Sequence, residues 1–435
     1  MKNEKDSKNL SDKDFGEKKV LTFPGGFLWG AATSSHQVEG GNKNDWSEWE
    51  KENSERLAKE AASKWGEMQQ NEFPEMFDSK NYLSGTACDH YNRYESDFEM
   101  ACELGMNTHR FSIEWSRIEP EEGRFDRQEI EHYRKVIKAL RARGLEPFVT
   151  LWHWTLPLWL RDKGGVYARK FPFYFSRYAQ MVVKELGEDV KFWVTLNEPT
   201  SVIADSYFRG IWPPQKKNPW KAWRLFGIFA KTHNEAYEII HDLYPDAQVG
   251  FANILHSYQP YRKRWILDEI MVFVGKYLTN RRMINLTKGH NDFLSVQYYF
   301  HNRFKFPKKY RDGKKPVTDL NWEIYPEGIY HVLTDLKKYN LPIYVTENGL
   351  ADISDVKRAK FIKDHLFWVH KAIQEGADVR GYFYWSLLDN FEWDKGFWPR
   401  FGLIEVDRKT QTRSIHKSAF EYAKICRENA VEIDP

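Results

Sequence analysis

Eight short apolar runs, separated by segments of helical character, limit what this chain can fold into. They are "FLWGAAT" (27–33), "MNTHRFSI" (106–113), "EPFVTLWH" (146–153), "VKFWVTLNE" (190–198), "AQVGFAN" (247–253), "NDFLSVQYY" (291–299), "LPIYVTE" (341–347) and "VRGYFYWS" (379–386). Each has the length of a buried strand. Residues 128–144 place apolar side chains at helical spacing, and helices also fit 174–187, 233–245, 353–376 and 415–429. Apolar runs alternating with amphipathic helices predict a parallel sheet. Eight such units predict one closed (β/α)8 barrel, a TIM barrel, rather than an open doubly wound sheet. The lack of a Gly-rich dinucleotide fingerprint or a P-loop points the same way. The barrel is expected over 21–430. Residues 1–20 are polar, lack the apolar middle of a signal peptide and read as a disordered tail. Residues 51–80 read as a polar surface insertion and 431–435 as a C-terminal tail. Residues 205–231 and 265–278 are the least regular stretches.

A net charge of +3 is too small to argue for a nucleic-acid partner. Three cysteines, Cys88, Cys102 and Cys426, are odd in number and have no CxxC spacing. Neither a disulfide framework nor a zinc site is expected, and a reducing, cytoplasmic setting is. No His, Asp and Glu spacing suggests a metal, so no cofactor is expected and the chemistry falls to carboxylates. No run has the apolar length of a membrane-spanning helix. The chain has 18 Trp, 23 Tyr and 29 Phe. That is more than a core needs, and it suits a cleft where sugar C–H faces pack on rings.

In a parallel barrel all strand C-termini open on one face, where the active site sits. The fourth run ends on Glu198 and the seventh on Glu347. One such glutamate alone is more often a satisfied, half-buried acid. Two at matching strand ends are the equipment for glycoside cleavage: one protonates the departing oxygen, the other attacks the sugar carbon or activates water. Arg110 is a fixed cation that would keep a nearby carboxylate ionised, and Tyr298 could donate a hydrogen bond to it. His153 and Trp385 taken singly are ordinary residues. They gain weight by ending barrel strands.

"TLNEP" (195–199) and "VTENG" (345–349) stand in order in a chain that, from Phe23 to about Glu428, resembles glycoside hydrolase family 1, the β-glucosidase family. The resemblance implies a retaining β-glycosidase acting on β-linked glucosides or related small glycosides. Glu198 would be the acid/base and Glu347 the nucleophile. "FLWGAATSSHQVEG" (27–40) gives Gln37 and "HWTLP" (153–157) gives His153 as partners of sugar hydroxyls. Asn197 would meet the 2-hydroxyl. "RFSIEWSRI" (110–118) sets Arg110 beside the nucleophile. "YFYWSLLDNFEW" (382–393) makes Trp385 the floor of the sugar subsite, with Glu392 and Trp393 at the hydroxyls farthest from the scissile bond. "NWEIYPEGIY" (321–330) puts Trp322 on the aglycone side, and Phe401 joins the substrate-binding set.

Where the family has Gly-Ile-Asn-Tyr-Tyr on its sixth strand, this chain has Ser295-Val296-Gln297-Tyr298-Tyr299. Gln297 keeps the amide on a longer arm and is retained as a substrate-binding candidate. The region between the fifth and sixth runs is short and apolar, closer to a branch that holds archaeal β-glycosidases and a plant galactolipid galactosyltransferase. An anionic Glu392 would repel a 6-phosphate, so weak activity on 6-phosphoglycosides is expected. Two other readings are a glycolipid transglycosylase in peripheral contact with membranes, from the aromatic and basic residues of 205–231 and 303–316, and a sugar-binding barrel without catalysis.

Overall fold

The computed structural model describes residues 19–433. Eight parallel strands close a barrel: β1 (Leu28–Ala32), β2 (Thr108–Ser112), β3 (Glu146–Trp152), β4 (Phe192–Asn197), β5 (Gln248–Ile254), β6 (Leu294–Gln297), β7 (Ile343–Asn348) and β8 (Val379–Trp385). Closure runs through β8 and β1, where Gly381 pairs with Leu28 and Trp385 with Ala32. Each strand falls inside or within a residue of its predicted run. Outer helices cover the barrel through one continuous apolar layer that includes Trp29, Trp152 and Trp193.

The barrel interior is filled, not hollow. Phe148, Phe192, Val194, Ala252, Phe293, Tyr344 and Phe383 form a plug beneath the mouth. Phe148 stacks on Phe192 at 4.7 Å and meets Phe293, Tyr344 and Phe383 at 5.1–5.4 Å. Side chains alternate across a strand. On β4, Phe192 and Val194 therefore point inward and Trp193 outward.

Three helices matter below: α1 (Asp45–Lys64), α2 (Pro219–Leu243) and α3 (Ile266–Gly275). A reciprocal cap starts α1: Ser47 N–H donates to Asn44 Oδ1 at 2.9 Å, and Asn44 N–H to Ser47 Oγ at 3.0 Å. The expected polar insertion is thus only half polar. Trp46, Trp49, Leu57 and Ala58 on α1 pack with Tyr82, Trp212 and Trp393. The Lys and Glu residues of 51–64 occupy the opposite face and dominate the composition.

A three-stranded sheet of Ser257–Pro260, His301–Lys305 and Lys308–Tyr310 stands above β5 and β6. Of the expected N-terminal tail, residues 1–18 lie outside the described residues. Lys19 and Val20 belong to a strand, Lys19–Thr22, paired antiparallel with Ala430–Ile433. Residues 431–433 are therefore not a tail: Val431 is fully buried. Among the described residues, no helix is long and apolar enough to cross a membrane.

Candidate active site

Plain alternation would not aim both glutamates into the barrel. On β7, Tyr344 faces the plug and Val345 the outer layer, so Glu347 should face out as well. A register shift intervenes: Val345 pairs with Val296, and Glu347 with the very next residue, Gln297. β4 has a matching shift between Val194 and Asn197. Each is a bulge, an extra residue that re-aims the following side chain. Leu196 consequently packs in the outer layer while Asn197 joins the site. Glu198 follows in the left-handed region, φ 41°. Its backbone is held by a bond from Glu198 N–H to Ala252 O at 2.8 Å. The glycine closing "TENG" also has a steric cause: a Cβ on Gly349 would lie 1.8 Å from the Trp385 carbonyl oxygen.

The two carboxyls are both buried and have unlike surroundings. Glu347 Oε1 accepts from Arg110 Nη1 and from Gln297 Nε2, the latter at 2.5 Å. Its Oε2 accepts from Tyr299 OH at 3.0 Å. Glu198 Oε2 accepts from Ser201 Oγ at 2.7 Å. Burial raises both carboxyls above the ordinary glutamate range. For Glu347, Arg110 and Tyr299 oppose that rise. For Glu198, the neighbouring Glu347 adds to it, and Glu198 ends well above its usual value. Like charges sharing a buried site push proton affinities apart. Of the two, Glu198 is held higher in proton affinity.

Asn197 links the pair to the wall. Its Oδ1 accepts from Arg110 Nη2 at 2.6 Å and from Gln297 Nε2 at 2.8 Å. Its Nδ2 donates to His153 Nε2 at 3.0 Å, which leaves the ring proton on Nδ1. That Nδ1 has no hydrogen-bond partner among the described residues. Burial, with Arg110 nearby, holds His153 well below its usual value, so the ring is neutral. Gln37 Nε2 donates to Phe391 O at 2.8 Å and reaches Glu392 Oε2 at 3.3 Å. Burial pushes Glu392 up to about 8; Lys395 opposes this and Asp394 adds to it. Burial thus works against the anionic form expected of Glu392.

The rings fall into two walls. Trp385 packs with Phe401 and Trp398, and Trp322 and Tyr299 lie against them. Trp393 stacks on His36 and His153, with Trp46 and Trp154 at 4.6 Å. Trp322 sits 4.7 Å from Phe300 and 6.0 Å from Phe401.

The sequence reading needs one correction. The Tyr298 hydroxyl does not bond the Glu347 carboxylate: it donates to Tyr325 O at 2.8 Å, and Tyr298 meets Glu347 only through its backbone N–H, which donates to the Glu347 carbonyl at 3.0 Å. Tyr299 makes the carboxylate bond instead. Alternation carried the signal, since Gln297 and Tyr299 share a face and Tyr298 does not. Sequence reasoning also missed Ser201 and Trp154, whose Nε1–H donates to Asn197 O at 2.9 Å. It gained Gln297 as a partner of the carboxylate itself. The remaining candidates gather around the same mouth.

Two buried carboxyls at the mouth of a closed (β/α)8 barrel are the equipment of a glycoside hydrolase. The family model for Glycosyl hydrolase family 1 matches residues 19–272 and 276–431, and the chain belongs to that family. It is 32% identical to β-glucosidase A of Thermotoga maritima over 95% of this chain and 99% of that one. A β-glycosidase structure from Pyrococcus horikoshii superposes with a TM-score of 0.85 at 35% identity, covering 96% of this chain and 97% of that one. The Thermotoga maritima β-glucosidase in complex with glucoimidazole gives 0.81 at 30% identity, covering 94% and 99%.

Proposed function

We propose that this protein is a retaining exo-β-glycosidase of small β-glucosides or related β-glycosides, with Glu347 as nucleophile and Glu198 as acid/base. One observation carries the assignment of roles. Three donors, from Arg110, Gln297 and Tyr299, converge on Glu347, while Glu198 receives a single hydroxyl bond from Ser201. Donors of that kind favour the charged form, so Glu347 is the anion.

In the first step a Glu347 oxygen bonds to the anomeric carbon as the bond to the aglycone oxygen breaks. Glu198 gives its proton to that departing oxygen. The new ester removes the negative charge that had added to burial in raising Glu198. Its proton affinity falls, and it becomes the base that takes a proton from the incoming water. Water's oxygen then displaces Glu347 and the sugar leaves with its configuration retained. Gln37, His153, Asn197, Glu392 and Trp393 bind the sugar hydroxyls, and the unpartnered His153 Nδ1–H is free to donate to one. Trp385 forms the sugar floor; Trp322 and Phe401 border the aglycone. Weak activity on 6-phosphoglycosides is expected because a 6-phosphate would meet the buried Glu392 carboxyl, with the Asp394 carboxylate nearby. Unpaired thiols at Cys88, Cys102 and Cys426 fit a cytoplasmic setting.

Replacing Glu347→Gly should abolish hydrolysis, and azide should restore turnover as the α-glycosyl azide. A β-azide product would reverse the two roles.

A further inference from the structure

A surface helix ordinarily buries its apolar stripe and exposes its polar one. α3, with sequence Ile-Leu-Asp-Glu-Ile-Met-Val-Phe-Val-Gly, departs from this: it buries only Asp268 and Val272 and leaves most of its apolar side chains at the surface. Asp268 is fully buried, accepting from Arg262 Nη2 at 2.7 Å and from Phe306 N–H at 2.8 Å. Ile266, Ile270 and Phe273 are 71%, 51% and 64% exposed. Trp265, Val274 and Tyr277 flank them, also exposed.

The apolar surface extends beyond this helix. The Arg282 guanidinium lies 3.4 Å above the Trp223 ring and 6.0 Å from Tyr277, which joins the end of α3 to the start of α2. There Trp220 and Trp223 are exposed. On the other side, Phe306 is exposed at the tip of the 301–310 hairpin, tied to Asp268 by its own N–H. These pieces follow β4, β5 and β6, so the patch borders the barrel mouth. Its fringe is basic. Residues 261–282 hold six Lys or Arg against two acids, and residues 303–315 hold seven against one. The whole chain is nearly balanced, 65 against 62.

Exposed Trp, Phe and Ile ringed by Lys and Arg suit the boundary between lipid headgroups and acyl chains. A second copy of the chain fits less well. A two-fold contact would press this basic fringe against itself, and juxtaposed like charges oppose association. We propose that the face formed by α3, the start of α2 and the 301–310 hairpin docks on an anionic bilayer, with the barrel mouth turned toward the lipid. The proposal does not depend on which glutamate plays which catalytic role.

The test is co-sedimentation of the full chain with phosphatidylcholine vesicles made with and without phosphatidylglycerol. Binding should require phosphatidylglycerol and weaken as salt rises. The pair Ile270→Glu and Phe273→Glu should lower the bound fraction at least about tenfold, because two apolar anchors become charges. Lys263→Gln and Lys305→Gln should cost about fivefold each, the worth of one basic residue at an anionic surface. Hydrolysis of a soluble nitrophenyl glycoside should be unchanged in all of them, which checks folding. No sedimentation of the wild type with phosphatidylglycerol vesicles at low salt would overturn the proposal. So would equal binding by the double-glutamate variant. A dimer in gel filtration that the glutamate pair dissolves, without vesicle binding, would assign the face to a second copy instead.

Discussion

Tyr298 and Tyr299 are adjacent, both buried, and do different work. Tyr299 bonds the carboxylate of Glu347, whereas Tyr298 ties its strand to the Tyr325 carbonyl. A hydrogen bond to a charged group contributes about 1.5–3 kcal/mol. Tyr299→Phe should therefore lower kcat by about ten- to a hundredfold. It also removes one of the groups that hold Glu347 down against burial. The proton affinity of Glu347 rises, and the acid limb of the kcat/KM profile should move to higher pH. With Glu198 as the proposed acid, the alkaline limb follows loss of its proton and should stay. Tyr298→Phe should leave both limbs in place and lower stability by about 1 kcal/mol. Equal losses of rate in the two variants would contradict this division. At this scale the sequence disclosed which residue types matter, because the apolar runs stop on Glu198 and Glu347. It did not disclose that burial raises the proton affinity of Glu392, against Lys395 and with Asp394, because neither neighbour belongs to a strand run.

At the scale of elements, the strands were the most legible part. Each apolar run marks a strand because a buried parallel strand has no polar face to disguise it. Their bulges were hidden. Nothing in "VTLNE" or "IYVTEN" distinguishes a regular strand from one with an extra residue, yet the extra residue is what turns Asn197 and Glu347 inward. α2 was also read short, as 233–245. Its true start, Pro219 after an Asn218 cap, sits in a stretch whose aromatic and basic residues obscure helical spacing. Beneath the bulges the aromatic plug fixes where the strand ends lie. Phe148 is its centre, fully buried among four rings. Phe148→Ala should cost about 3–5 kcal/mol in chemical denaturation. It should also reduce activity in the fraction that stays folded, since β3 and β4 both lean on that ring. An activity unchanged at full stability would separate the plug from the site.

Over the whole molecule, the barrel is closed a second time outside its sheet. Lys19–Thr22 and Ala430–Ile433 form a ribbon that fastens the start of the described chain to its end. Trp29 Nε1–H donates to Asn429 Oδ1 at 2.9 Å just beside it. Ending the chain after Asn429 would remove the buried Val431 and leave Leu21 uncovered. Burial of one such side chain is worth about 1.5–3 kcal/mol. The truncated enzyme should melt several degrees lower, with near-normal turnover at moderate temperature. This ribbon was invisible in the sequence because each half is four residues long, and each acquires meaning only from a partner some four hundred positions away.

The ribbon leads into the start of β1 and so lies on the side of the barrel away from the mouth. A tag, a carrier protein or a chemical tether attached beyond either end of it would hold the molecule by its back. The cleft would then face outward, open to diffusing sugars, in whichever orientation the support is built.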